Sequence, residues 1–171
     1  GRVVKKHVWG DEYCLSTLEK DVEQAQFIVA HNAKFELQWL RRAGIDLHKV
    51  LVFDTYLAEW VIAGNRGNTA GWELNLDATA ARYGLGNKVQ AGKKMIDAGI
   101  DPEDIPREIL QPYCYQDVAL TNAIYKKQIE ILVRDRLLHL VLTRCLAAAA
   151  LADMEFAGAQ LDRDRVLAEY N

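Results

Sequence analysis

The sequence predicts an α/β layer fold, and three observations carry that expectation. Phe27-Ile28-Val29-Ala30 and Val50-Leu51-Val52-Phe53 are short, unbroken apolar runs, the pattern of strands buried on both faces of a parallel sheet. Each run is followed by a segment with helical spacing that a glycine stops: Phe35, Leu37 and Leu40 before Gly44, then Tyr56 to Ala63 before Gly64. The alternation of strand and helix then gives way to mostly helical patterns, which places the helices in a layer against a sheet.

The remaining elements follow in order. Val4 to Trp9 is β-branched and aromatic between Gly1 and Gly10, which predicts a strand, best matched to a later strand of the sheet. Leu15, Leu18 and Val22 give Asp11 to Glu23 a helical period. A helix is expected from Ala33 to Ala43, and Asp54 or Thr55 caps the next one. Asn65 to Trp72, rich in Gly, Asn and Thr, reads as a surface loop, and Leu76 to Tyr83 as a short helix before Gly84 and Gly86. Asn87 to Asp104 is polar and weakly periodic, the pattern of a mobile loop over a site. A long helix runs from Arg107 or Pro112 to Arg134, with Pro112 either opening it or kinking it. Leu137 to Phe156 and Arg163 to Tyr170 complete the helical part, separated by Gly158. No internal repeat or low-complexity tract interrupts the chain.

The chain has 171 residues, half of them apolar, which is one domain's worth with a proper core. A net charge of −3 gives no global basic signal, so a nucleic-acid binder of this composition must gather its cations locally. Arg41-Arg42, Lys88 with Lys93-Lys94, and Lys126-Lys127 are the available clusters. The three cysteines, Cys14, Cys114 and Cys145, are too far apart in sequence for a metal motif and read as reduced thiols of a cytoplasmic protein. No apolar run approaches the roughly 20 residues of a membrane span. Gly1 to Lys6 holds no apolar signal segment and leads straight into a strand pattern, as an internal stretch of a longer chain does.

Active residues of open α/β sheets gather at the carboxyl ends of strands. His31, Asn32 and Asp54 sit at such ends, and Glu36 lies one turn into the following helix. Tyr113 and Asp117, four residues apart in the long helical pattern, share one helix face. A phenol beside a carboxylate can orient a water and hold a metal ion. A packed tyrosine with a solvated aspartate has the same spacing, and the upstream stretches tip the reading toward a site.

Those stretches carry a resemblance. His31-Asn32-Ala33-Lys34-Phe35-Glu36 resembles the second motif of the DEDD (DnaQ-like) 3′–5′ exonucleases: an asparagine, a spacer, an aromatic residue, an acid. Phe53-Asp54-Thr55 is similar to the strand-to-helix step that follows it in the proofreading domains of family A DNA polymerases. Tyr113 to Asp117 resembles the third motif of the DEDDy subgroup, and the roughly eighty-residue gap between the two motifs suits it. Gly158 to Asp162 looks like the entry into the polymerase part of bacteriophage-type enzymes.

The resemblance implies an RNase H-like layered fold with a helical C-terminal part, and hydrolysis of phosphodiester bonds at a DNA 3′ end by two Mg2+ or Mn2+ ions. Asp117 and Glu36 would be metal ligands, with Glu36 standing where the family usually has aspartate. Tyr113 would orient the attacking water. Asn32, Phe35 and His31 would face the single-stranded DNA 3′ end, Phe35 either stacking on a nucleotide or packing in the core. Asp54 reads as a cap or structural acid. The implied division is an exonuclease domain over residues 1–135, then a helical segment over 136–171 leading into a polymerase domain of the same parent chain. No membrane partner is expected, and a phage protein of this kind works in the host cytoplasm.

One departure matters most. The family's first motif, Asp-x-Glu on the first strand, is absent before the second: Asp11-Glu12 is adjacent rather than alternating, and Asp101-Pro102-Glu103 lies far downstream. The expectation is therefore a domain lacking its first strands at the N-terminus, incomplete as an enzyme by itself. The alternatives are a non-catalytic nucleic-acid-binding module of the same fold and, more distantly, an RNA-trimming relative.

Overall fold

The computed structural model describes residues 15–47, 50–66, 71–86 and 90–170. The strand expected at Val4–Trp9 lies outside them. At the centre is a parallel pair, β1 (Ile28–Ala30) and β2 (Val52–Asp54), in the register Ile28 to Val52, Val29 to Phe53 and Ala30 to Asp54. Helix α1 (Leu15–Gln24) precedes β1, α2 (Lys34–Arg42) crosses from β1 to β2, and α3 (Thr55–Ala63) leaves β2 directly. This is the strand–helix alternation that the apolar runs and glycine stops predict. Among the described residues the sheet has these two strands, and helix dominates.

The C-terminal half adds α4 (Leu76–Arg82), α5 (Gln90–Asp97), α6 (Arg107–Arg134), α7 (Leu138–Ala157) and α8 (Arg163–Tyr170). Pro106 stands at the N-cap of α6, so the helix opens one residue later and Pro112 falls inside as its sixth residue. The buried positions Leu120, Thr121, Ile124, Gln128 and Leu132 recur at helical spacing and make one inward stripe. Tyr113 and Asp117 continue that stripe towards the N-terminus of α6.

Three apolar clusters hold the elements together. Val22, Leu37, Ile45, Leu47 and Ala152 join α1, α2 and α7. Phe53, Ala58, Leu132, Val141 and Cys145 join β2, α3, α6 and α7. Ala80, Leu120 and Ile124 join α4 to α6. Helix α7 thus contributes to two clusters and lies across β2, where the backbone N–H of Asp54 donates to Cys145 Sγ at 3.3 Å. Among the described residues no helix is long and apolar enough to cross a membrane.

The segment Asn87–Asp104, expected as a polar loop, instead contains α5 and a 3-10 turn at Pro102–Asp104. The physical reason is tertiary. Gly92 is buried, and a Cβ built on it would stand 2.9 Å from Tyr113 Cβ, so the backbone of α5 rests directly on the Tyr113 ring. A short, lysine-bearing helix that is marginal alone is held by that contact.

Candidate active site

The first part of the site is the turn that ends β1. Asn32 adopts φ 66°, the left-handed conformation that asparagine tolerates better than most residues, and this swings the chain from β1 into α2. Asp54, 2% exposed at the end of β2, holds the turn. Its Oδ1 accepts from the Asn32 and Tyr56 backbone N–H groups and its Oδ2 from that of Ala33, each at 2.9 Å. A buried carboxylate with three N–H donors is compensated where it stands. Asp54 is therefore the cap of α3 and the staple between the strand ends.

His31 adds a second staple. The Thr55 hydroxyl donates to the Ala30 carbonyl at 3.0 Å, which uses its single hydrogen, so it accepts from His31 Nδ1 at 2.9 Å. This places the proton on Nδ1. The imidazole also meets the Tyr56 ring edge to face, centroids 5.8 Å apart.

These bonds aim the start of α2 outward. Phe35 is 59% exposed and Glu36 lies on the surface of the first turn. Surrounding protein mass raises the Glu36 carboxyl above the ordinary glutamate value, its own backbone N–H lowers it in part, and the Asp54 charge raises it further.

The second part lies on α6. The Tyr113 hydroxyl hydrogen-bonds the Asp117 carboxylate one turn on, as the spacing predicts. Burial first, then the charge and hydrogen bond of Asp117, then the charges of Asp77 and Cys114, push the phenol up to about 12. A phenol in that range stays protonated at neutral pH and can serve as a hydrogen-bond donor, not as a base. Lys93 of α5 reaches Asp77 at 3.6 Å and Asp97 at 3.8 Å, so α5 brings a cation beside this cluster.

A network that the sequence reading missed ties α6 to the first part. Glu59, 1% exposed in the middle of α3, accepts from Arg82 Nε at 3.0 Å, Tyr83 hydroxyl at 2.6 Å and Gln128 Nε2 at 3.1 Å. Gln128 also donates to the Thr55 carbonyl at 2.9 Å, beside the Asp54 staple. Burial, then the Glu59 hydrogen bond and charge, hold the Tyr83 phenol well above its ordinary value. The readable signal was a lone carboxylate inside the apolar run Thr55-Tyr-Leu-Ala-Glu-Trp-Val-Ile-Ala63.

The predicted residues fall into these two parts. His31, Asn32, Phe35 and Glu36 cluster at the strand ends with Asp54, and Tyr113 and Asp117 pair on α6 beneath α5. Glu36 feels the charge of Asp54, whereas Tyr113 feels those of Asp117 and Asp77. Among the described residues no group of three His, Cys, Asp or Glu side chains stands close enough to hold a metal ion. The described donors therefore do not make a metal centre by themselves, and Asp54, its oxygens already bound by backbone N–H groups, is not a spare ligand.

Comparison with known proteins gives the context. No curated protein and no solved structure matches the chain. A family model described as 3′–5′ exonuclease, that of the exonuclease domain of family A DNA polymerases, matches residues 3–132, from ahead of β1 to the end of α6. On that match the chain belongs to the 3′–5′ exonuclease family of the family A DNA polymerases.

Proposed function

We propose that the chain is the proofreading part of a bacteriophage-type family A DNA polymerase, removing nucleotides from a single-stranded DNA 3′ end. The observation that carries this reading is the Tyr113–Asp117 pair, hydrogen-bonded at the position where the resemblance wants a water-orienting phenol beside a metal-binding carboxylate. Asn32, Phe35 and His31, grouped at the strand-end turn, face the strand. Asp117 and Glu36 are the carboxylates this chain offers to Mg2+ or Mn2+. Two such ions, when bound, supply an attacking hydroxide and stabilise the leaving oxygen. With two of about four carboxylates, this chain alone binds magnesium weakly. Residues 1–135 act as the exonuclease unit, and residues 136–171 lead into a polymerase domain in the host cytoplasm.

The test is nucleotide release from a single-stranded oligonucleotide by a longer chain that includes an upstream Asp-x-Glu pair. Mononucleotides appearing from the 3′ end in magnesium, and not from the 5′ end, are expected. Release from the 5′ end, or none, would overturn the reading. A second reading, a non-catalytic strand-binding module of the same fold, is favoured by the spacing of the donors: among the described residues no three His, Cys, Asp or Glu side chains stand close enough to hold a metal ion. Strand binding without release by the longer chain is its signature.

A further inference from the structure

Helix α2 has two faces of different character. The face towards α7 is closed: Lys34 and Gln38 reach the Glu155 carboxylate at 2.7 and 2.8 Å, Arg41 pairs with Asp153, and Leu37 is buried. On another face Phe35, Trp39 and Arg42 stand at helical spacing, and all three are exposed, Trp39 at 58%. The two rings meet edge to face with centroids 6.2 Å apart, and the Arg42 guanidinium lies over the Trp39 ring at 5.9 Å. Arg41 has its carboxylate; among the described residues none pairs with Arg42. With Gln38 the three side chains line a shallow surface hollow.

We propose that this stripe is a stacking platform for single-stranded nucleic acid, which extends the candidate site from Glu36 along α2. Phe35 and Trp39 receive successive bases, and Arg42 neutralises a phosphate beside them. The inference rests on the proposed exonuclease reading and adds to it a path for the strand. Two features select a nucleic-acid strand over a protein partner. The stripe begins at Phe35, next to Glu36 and three residues beyond the Asn32 turn, so it is continuous with the site. Its one formal charge is a cation already set over an aromatic face, the combination that holds an anionic backbone while bases stack without regard to sequence.

The experiment is fluorescence anisotropy of a labelled oligothymidylate titrated with the full 171-residue chain, in EDTA so that no strand is cut, across a series of salt concentrations. Trp39→Ala is expected to weaken binding about tenfold, the worth of one stacked base. Trp39→Phe, which keeps a ring, should recover most of that loss. Arg42→Ala should flatten the slope of log affinity against log salt by about 0.7, the value for one phosphate of a single strand. Leu146→Ala, on the exposed side of α7, is the control and should change neither quantity. Circular dichroism identifies any variant that fails to fold; Trp39 and Arg42 are exposed, so each tests the stripe independently. If Trp39→Ala and Arg42→Ala bind like the parent, the platform is overturned while the exonuclease reading stands on its own nucleotide-release test. If the parent ignores the oligonucleotide but forms a dimer that Trp39→Ala dissolves, the stripe is a protein interface and the proposal fails.

Discussion

Asp54 ends β2 and Asp117 stands on α6, and their surroundings differ. Asp54 is buried and its two oxygens accept three backbone hydrogen bonds, so the fold uses all of its charge. Asp117 is half-buried on α6 and shares a hydrogen bond with a phenol that is itself held protonated. The first carboxylate is spent on architecture; the second is the one proposed for chemistry. Glu59 and Glu36 repeat the contrast within neighbouring elements: Glu59 is closed by Arg82, Tyr83 and Gln128, whereas Glu36 lies at the surface with a raised pKa. Asp54 and Glu59 are thus tied to the fold by hydrogen bonds from several elements, and both act as structural acids.

Several substitutions break or sharpen this contrast. The largest effect is expected from Asp117→Ala in a longer, active chain: nuclease activity is abolished while strand binding persists, measured as steady-state nucleotide release in magnesium. Tyr113→Phe in the same chain keeps the ring against Gly92 and loses the hydroxyl; release should fall by about 10²–10⁴-fold, with little change in thermal stability. Asp54→Ala should leave three N–H groups without their acceptor and cost about 3 kcal/mol in urea unfolding. A loss below about 1 kcal/mol would remove its structural role.

Gly92→Ala should cost about 1–3 kcal/mol, because the added methyl meets Tyr113 Cβ and Cγ at 2.9 Å and α5 must shift. Increased proteolysis within α5 would accompany it. The smallest effect belongs to Glu36→Gln. The Glu36 carboxyl is raised in the folded state, so its contribution to stability is complete below its ordinary value of 4.5 and is lost as pH rises through the folded value. The variant should therefore gain slightly over the parent at neutral pH and match it in acid, in paired melting curves. Glu36→Asp should keep nuclease activity in the longer chain, since it restores the family's usual acid.

Much of this architecture is legible in the sequence. The apolar runs at Phe27 and Val50 and the glycines at 44 and 64 place β1, β2, α2 and α3 within a residue or two. The spacing of Tyr113 and Asp117 gives their contact, because a helix fixes what lies one turn away. Asp54 is readable as a cap from its position alone. Its bonds to Asn32 and Ala33 are not, because they join residues more than twenty apart in the chain. Helix α5 escapes for a related reason: its lysines look solvated, and what steadies it is a glycine against a ring on another helix. Glu59 is a missed signal, a single acid in an apolar helix that had to find partners. The distance between Glu36 and Asp117 depends on how α2 and α6 are set on the sheet, and neither motif encodes that.

Asp54 and Asp117 are assigned different work, and one paired measurement tests that division most directly. Asp54→Asn and Asp117→Asn are made in the longer chain, and each is followed by urea unfolding and by release of nucleotides from a 3′ end. Asp54→Asn turns an amide donor towards a backbone N–H, so it should lose about 2–4 kcal/mol of stability. Asp117→Asn should keep the parent's stability to within about 1 kcal/mol and lose the release of nucleotides. Asp117→Asn releasing nucleotides at the parent's rate, or unfolding as readily as Asp54→Asn, would contradict the account.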